Sequence, residues 1–146
     1  TLFKELRSVS PSSLGAYAID TAATSTLIFY SNIDGDQYKE KLRYFLSGTD
    51  LKRGVIRPTG TPLVYNSGSE TISTIMRNVK NGTSTPIFDY YDENYAGTTT
   101  PLSTPANVLL VRLIRATLIV DSDANRSPLP ITVTSQVMLR NLKDNQ

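Results

Sequence analysis

Residues 38–56 of the chain read YKEKLRYFLSGTDLKRGVI. In the first half of this stretch, Glu40 shares one face with the apolar Leu42 and Tyr44, while basic residues such as Arg43 occupy the other. This alternation is typical of a strand with one buried and one solvated face, as in an antiparallel sheet. A glycine-containing turn separates the two halves, so the stretch predicts two consecutive antiparallel strands.

Further strand patterns lie on both sides of this pair. They are rich in β-branched and aromatic residues and are bounded by turn residues. They occupy residues 26–30, 87–91, 108–120 and 131–140. Apolar residues on both faces of 108–120 predict a central strand that is covered on both sides, and 131–140 is predicted to pair with it.

One internal segment favours a helix instead. Ser67 and Glu70 have the spacing of a capping box, and apolar residues follow at helical intervals. These apolar residues are Ile72, Ile75, Met76 and Val79. We therefore expect one short amphipathic helix near residues 70–80, which packs its apolar stripe on the sheet.

The first residues also have helical spacing. Leu2, Phe3 and Leu6 are apolar with charged residues between them, and Pro11 limits the pattern. A two-turn helix nucleates poorly alone, so we expect the end of a longer helix or one that the core holds in place.

Composition narrows the possible chemistry. The 146 residues predict one domain spanning 1–146, and they include no cysteine, histidine or tryptophan. Disulfides, thiolate or imidazole metal sites and histidine-based acid–base catalysis are therefore excluded. The formal net charge is +2 and the basic residues are scattered, so no nucleic-acid partner is expected.

One short segment partly matches a catalytic motif. The sequence Ile19-Asp20-Thr21-Ala22 is similar to the Asp-Thr-Gly of aspartic proteases, in which a small residue allows two carboxylates to approach. Ala22 replaces that glycine and the motif occurs once, so an enzyme of this kind would require a dimer that pairs Asp20 across its interface.

An acidic loop offers a possible calcium site. Asp121, Asp123 and Asn125 place three oxygen ligands at alternate positions, as at the start of a calcium-binding loop. The later glycine and the bidentate glutamate of such loops are absent, and a polar hairpin loop explains the same residues. The acceptor triplet Asn81-Gly82-Thr83 is likewise interpreted as loop polarity.

The order of the predicted helix and strands along the chain resembles that in the head domains of minor pilins and pseudopilins, the prepilin-type proteins of type IV pili and type II secretion. The similarity covers nearly the whole chain through loose strand patterns. The stretches that carry it are 33–36 (IDGD), 42–46 (LRYFL), 51–55 (LKRGV), 88–92 (FDYYD), 111–118 (VRLIRATL) and 135–142 (SQVMLRNL).

This resemblance implies an α+β, pilin-like fold in which a truncated N-terminal helix packs on antiparallel sheet, with Leu2, Phe3 and Leu6 docking the helix. It implies a non-enzymatic structural subunit of a type IV pilus or type II secretion pseudopilus, a minor component that primes or caps the filament. The partners would be other pilin or pseudopilin subunits and the inner membrane, reached through a helix before Thr1. The head would be extracytoplasmic, in the periplasm or at the cell surface, with no obligatory cofactor and calcium as an optional ligand.

Two other classes remain open. A free-standing extracellular β-sandwich that binds sugar, protein or calcium would have an N-terminus that ends in a strand, with no helix docked on a sheet. The aspartic-protease-like enzyme would depend on Asp20 and on dimerisation.

Overall fold

The computed structural model describes Glu5 and residues 18–33, 38–61, 63–82, 85–97, 100–121 and 131–139. These residues form two antiparallel sheets, one of five strands and one of three. In chain order the strands are β1 (Ile19–Ala22), β2 (Thr26–Ser31), β3 (Glu40–Ser47), β4 (Asp50–Ile56), β5 (Thr71–Met76), β6 (Phe88–Tyr91), β7 (Leu113–Val120) and β8 (Ile131–Met138). Short 3₁₀ turns occupy Ser67–Ser69 and Val108–Leu110.

The five-stranded sheet is a meander in which each strand pairs with the next along the chain. The alternation in β3 is confirmed, because Glu40, Leu42 and Tyr44 are buried while Arg43 is half-buried. Gly48 has a positive φ of 62° in the turn between β3 and β4, where a glycine is favoured. This sheet therefore has an inner face that contributes to the core and an outer face that carries basic residues.

The three-stranded sheet has β7 at its centre, between β6 and β8. The predicted antiparallel pairing of 108–120 with 131–140 is confirmed by the register of β7 with β8. The strand begins later than predicted, because Val108–Leu110 forms a 3₁₀ turn. Asn107 caps that turn, since its side-chain oxygen accepts the Leu109 backbone N–H at 3.1 Å.

One cluster of buried apolar side chains draws on both sheets. The rings of Phe29 and Tyr44 lie nearly parallel, with their centroids 6.2 Å apart. Tyr90, from the second sheet, is fully buried, and its hydroxyl donates to the Ala23 carbonyl at 2.7 Å. Burial of this apolar area is the main driving force that holds the two sheets together.

Asn81 adds a polar tie beside this core and is completely buried. Its amide nitrogen donates to the carbonyls of Thr85 at 3.1 Å and Thr117 at 2.8 Å. Its amide oxygen accepts the Ile119 backbone N–H at 2.9 Å. Asn81 is thus a buried connection to β7, which differs from its interpretation as a polar loop residue.

The predicted helix near residues 70–80 is wrong, because Thr71–Met76 is strand β5. Four of its six residues are β-branched, which favours a strand that can pair with the exposed edge of β4. The capping-box spacing produces only the 3₁₀ turn Ser67–Ser69. Glu70 does not complete a helix cap, since its carboxylate accepts two hydrogen bonds from Arg43 at 2.9 and 3.0 Å.

The α+β prediction is therefore corrected to a mostly antiparallel β fold. Among the described residues, no helix reaches seven residues. Leu2, Phe3 and Leu6 lie outside the described part of the chain, whereas Glu5 is described in a helical conformation. Within that part of the chain, no helix has the length and apolarity to cross a membrane.

Candidate interaction surfaces

Glu5 is fixed on the inner face of the five-stranded sheet and is only 7% exposed. The Tyr44 hydroxyl donates to Glu5 Oε1 at 2.6 Å, and Arg53 Nε donates to the same oxygen at 3.1 Å. Arg53 Nη2 also donates to Glu5 Oε2. The Ser31 hydroxyl donates to the Glu5 backbone carbonyl at 3.1 Å. Strands β2, β3 and β4 therefore each contribute one polar side chain to hold Glu5.

The sheet register explains this convergence. Tyr44 and Arg53 are direct partners in the pairing of β3 with β4, so their side chains lie side by side on the same face. Burial raises the pKa of the Tyr44 phenol, and its hydrogen bond to the Glu5 carboxylate raises it further. Burial alone would lower the pKa of Arg53, but the hydrogen bond and charge of Glu5 outweigh it and the pKa is raised. The arrangement keeps Arg53 charged, and it is suited to anchoring a carboxylate.

Arg115 organises a second polar cluster on the outer face of the three-stranded sheet. Its guanidinium donates to the hydroxyls of Tyr91 at 3.0 Å and Tyr95 at 2.7 Å. It also donates to Gln136 Oε1, at 3.2 Å from Nε and 3.1 Å from Nη2. The guanidinium carbon lies 5.1 Å from the Tyr91 ring centroid, within cation–π range. The Tyr91 ring is only 3% exposed, so the surface of the cluster consists of the half-buried Tyr95 and Arg115 side chains and the exposed Gln136 amide.

Asp89 lies on the same outer face, directly opposite Arg115 in the pairing of β6 with β7. Burial raises the pKa of the Asp89 carboxyl, and the positive charge of Arg115 offsets part of that rise. The carboxylate therefore experiences a partly desolvated environment on a face whose main charge is the neighbouring guanidinium.

A shallow hollow of about 320 Å³ lies beyond the end of β6. It combines acidic residues with apolar side chains, because Leu109 and Leu110 are exposed beside Asp92 and Glu93. Arg112 also lines it, and its guanidinium donates to the Leu109 carbonyl at 2.9 Å. Its openness to solvent and its mixed lining make it a contact surface more than a small-molecule cavity.

Strand β8 is the most exposed strand of the described chain. Every residue from 131 to 136 is exposed, although the strand is paired with β7 along its length. The apolar side chains of Ile131 and Val133 are 61% and 49% exposed. These exposed apolar side chains on an edge strand mark β8 as a candidate interaction surface.

The structure describes one of the three residues of the predicted calcium site. Asp121 follows β7, and its backbone N–H donates to the Asn78 carbonyl at 3.0 Å. Asp123 and Asn125 lie outside the described residues. Among the residues that are described, no group of three or more acidic side chains could hold a metal ion. Calcium binding by this loop stays a prediction.

Asp20 lies on the edge strand β1 and is exposed. Its carboxylate accepts a hydrogen bond from the neighbouring Thr21 hydroxyl at 2.9 Å. Pairing across a dimer stays the requirement for the protease hypothesis.

Sequence reasoning missed the residues that the structure makes most specific. Glu5 lies among the residues predicted to dock a helix, but only their apolar members were selected. Arg53 follows a regular strand pattern, and its pairing partner is visible only once the register is known. A scan against protein-family models and a search of curated proteins found no match to this chain.

Proposed function

We propose that this chain is a non-enzymatic structural subunit of a type IV pilus or a type II secretion pseudopilus. In this proposal it is a minor component that primes or caps the filament and is held at the inner membrane. Its head lies outside the cytoplasm and contacts other pilin or pseudopilin subunits. The observation that carries the proposal is the anchoring of Glu5 on the inner face of the meander sheet.

The Glu5 anchor supports an assembly role because it joins the N-terminal segment to the sheet by specific polar contacts. A carboxylate that is 7% exposed is stable only when donors compensate for its lost hydration. Tyr44 and Arg53 are such donors, and Ser31 fixes the Glu5 backbone as well. A subunit whose N-terminal segment polymerises needs a defined position for its head relative to that segment, and this anchor provides one.

The second sheet supports the proposal by offering contact surfaces on the opposite part of the molecule. Its outer face carries the Arg115 cluster, and the edge strand β8 exposes apolar side chains. The hollow beside Leu109 and Leu110 adds a third contact surface, and it also exposes apolar side chains. Exposed apolar patches with polar surroundings are characteristic of proteins that bind other proteins.

The test uses the tagged full-length gene product in source cells that lack the native copy. Membranes are solubilised, the tagged chain is recovered, and chains that copurify with it are identified by mass spectrometry. We expect recovery from the membrane fraction together with chains that carry prepilin-type N-termini. Recovery from the soluble fraction without such chains would refute the proposal.

Two variants connect this test to the anchor. Arg53→Ala removes the charged donor to Glu5, so we expect weaker copurification at equal expression. Arg77→Ala is the matched control, because Arg77 is an exposed arginine whose nearest carboxylate, Asp50, is 4.0 Å away. If both variants copurify as the unaltered chain does, the Glu5 anchor does not support assembly.

A second candidate function is an extracellular binding module for saccharides, and the Arg115 cluster favours it. The half-buried Tyr95 ring beside hydroxyl, amide and guanidinium groups matches the amphipathic surface of a sugar ring. A glycan array probed with the chain, and with Tyr95→Ala as a control, tests this candidate. Binding that Tyr95→Ala abolishes supports it, and the absence of binding to every glycan contradicts it.

A further inference from the structure

The four edge strands of the two sheets differ in how they are protected from further pairing. Strand β1 has four residues, a register shift between Ile19 and Thr21, and a carbonyl at Ala22 that accepts the Ala106 N–H at 2.8 Å. Strand β6 also has four residues, and its Tyr90 carbonyl accepts the Leu102 N–H at 2.8 Å. Short length, bulges and covering segments are the usual devices that prevent edge-to-edge association.

Strand β5 carries a bulge as well. Its partners step from Leu51–Met76 to Lys52–Thr74, which leaves Ile75 as an extra residue in the ladder. Such a bulge twists the strand and interrupts the row of hydrogen-bonding groups. The edge at β5 is therefore irregular, although Ile72 and Ile75 are exposed.

Among the described residues, strand β8 has none of these devices. Its register with β7 continues without a shift over all eight residues, Ile131–Met138. The strand contains no proline, glycine or charged residue. No backbone hydrogen bond from another described residue outside β7 reaches Ile131–Met138. Its outer edge is a regular, uncharged row of donors and acceptors.

The backbone hydrogen bonds of β7 show which groups form that row. The Thr117 N–H donates to the Ile87 carbonyl, and the Ile119 carbonyl accepts the Lys80 N–H. The odd-numbered residues of β7 thus direct their backbone groups away from β8. The even-numbered residues of β7 therefore form the hydrogen bonds to β8. Their partners in β8 are odd-numbered, as in the pair of Ile114 with Val137. The residues of β8 whose backbone groups point outward are Thr132, Thr134, Gln136 and Met138.

We propose that β8 pairs antiparallel with the β8 strand of a second copy of this chain, about a two-fold axis at Ser135. This register places Thr132 opposite Met138 and Thr134 opposite Gln136, so every outward-pointing residue bonds to another. A register shifted toward the start of the strand would bring in Pro130, which has no N–H to donate. The two copies together form one continuous antiparallel sheet of six strands, β6-β7-β8 from each.

The side chains of β8 fit a second copy better than an unrelated strand. In the proposed register Val133 lies opposite Val137 of the second copy, and Ile131 lies opposite its Leu139. Val133 and Ile131 are exposed in the single chain, whereas Val137 and Leu139 belong to the core. Each exposed apolar side chain of one copy therefore packs beside a core residue of the other copy. Apolar cross-strand pairs of this kind stabilise sheets.

Charge and size are also self-compatible at the axis. A two-fold axis brings the same strand of both copies together. Like charges in that strand would therefore repel each other across the interface. Residues 131–138 carry no charge, and the small Ser135 meets itself at the axis without crowding. This pairing goes beyond the proposed function and does not depend on it, because an assembly subunit and a binding module would expose the same edge.

The absence of cysteine allows a direct test of the register. A pair of residues between the hydrogen-bonded pairs of an antiparallel ladder has Cα atoms about 4.5 Å apart, which is within disulfide range. Ser135→Cys should therefore form an intermolecular disulfide rapidly under mild oxidation. Thr132→Cys is the matched control, since its counterpart lies about 20 Å away along the strand at about 3.3 Å per residue.

We expect the Ser135→Cys chain to cross-link at least about tenfold faster than the Thr132→Cys chain, because only the former meets disulfide geometry. Equal rates would indicate random collision, and a faster rate for Thr132→Cys would indicate another register. Either result would overturn the proposal.

Analytical ultracentrifugation of the cysteine-free chain supplies the second measurement. We expect a concentration-dependent dimer whose association is nearly the same at low and high salt, because no charge lies in the paired strand. Thr134→Pro removes an outward N–H from the edge and leaves the bonds to β7 intact, so it should fold and remain monomeric. A chain that is monomeric at millimolar concentration, or a Thr134→Pro dimer, would refute pairing through β8.

Discussion

Arg53 is the residue whose loss should most affect the Glu5 anchor. Its side chain is 17% exposed and the Glu5 side chain 9%, so the ion pair is largely shielded from solvent. Arg53→Ala would leave the Glu5 carboxylate beside Tyr44 without a compensating cation. We expect a loss of about 3 kcal/mol in the free energy of unfolding, as is typical when one partner of a buried pair is removed.

Arg77→Ala provides the comparison for this prediction. The Arg77 side chain is 73% exposed, and its contact with Asp50 is at the limit of an ion pair. Its removal should change stability by less than about 1 kcal/mol. Urea denaturation of both variants, with the m-value monitored, makes the comparison. Similar midpoints for the two variants would show that Glu5 is not held by Arg53.

Asp89 gives a residue-level prediction for pH. Because burial raises its pKa, the folded state binds the Asp89 proton more tightly than the unfolded state does. The favourable contribution is then complete below the unfolded pKa of about 3.9 and is lost as pH rises through the folded pKa. Asp89→Asn cannot ionise, so its melting temperature relative to the unaltered chain should increase from pH ~3 to pH ~7.

Arg115 provides the internal control for the pH prediction. The charge of Arg115 lowers the pKa of Asp89, so its removal should raise that pKa further. In an Arg115→Gln background, the gain from Asp89→Asn at neutral pH should therefore be larger. Thermal melts at several pH values measure both differences. A gain that is constant over the pH range would show that ionisation of Asp89 is not its origin.

At the level of elements, strand β3 was predictable and strand β5 was not. Buried and more exposed residues alternate in β3 from Glu40 to Phe45, and only a strand has that period. In β5, Ile72, Ile75 and Met76 fit a helical period equally well. The deciding contribution is the pairing of Thr71–Met76 with β4, a long-range interaction that local spacing does not contain.

The turn before β5 leads to a prediction about Gly54 of β4. A Cβ atom at Gly54 would overlap the Glu70 carboxylate, which is held by Arg43 through two hydrogen bonds. Gly54→Ala must therefore displace Glu70 and should lower the free energy of unfolding by about 1 kcal/mol. In a Glu70→Ala background the obstacle is gone, and alanine should instead stabilise the strand by about 0.5 kcal/mol relative to glycine.

This reversal of sign is measured with a double-mutant cycle from chemical denaturation curves. The Arg43→Ala variant is the control for loss of the ion pair alone, because it leaves Glu70 free to move. If Gly54→Ala has the same effect with and without Glu70, the close approach between the two residues does not limit substitution at Gly54.

The candidate surfaces were less accessible to sequence reasoning than the strands. Arg115 is a charged residue in an apolar strand, but its partners come from two other segments, Tyr91 and Tyr95 from the end of β6 and the turn after it, and Gln136 from β8. The Glu5 anchor likewise joins residues up to 48 positions apart. Both depend on sheet register, which a single sequence determines only where hydrophobic alternation is strict. The regular edge of β8 likewise depends on register, which distinguishes it from the covered or bulged edges at β1, β5 and β6.

At the level of the whole molecule, one buried amide fixes the segment that connects the two sheets. Asn81 lies between β5 and β6 in the chain and bonds to the backbone of Thr117 and Ile119 in β7. Close by, Val79 forms an antiparallel bridge with Val120. The same region thus positions the chain leaving the first sheet against the central strand of the second.

Asn81→Ala would leave the Thr85 and Thr117 carbonyls and the Ile119 N–H without this partner in a buried environment. We expect a loss of about 3 kcal/mol in the free energy of unfolding, since each unsatisfied buried group is unfavourable. The exposed Asn94→Ala is the control. Because one core joins both sheets, hydrogen exchange should accelerate in β3 as well as in β7. Acceleration confined to β7 would mean that the two sheets unfold independently, and that the shared core does not couple them.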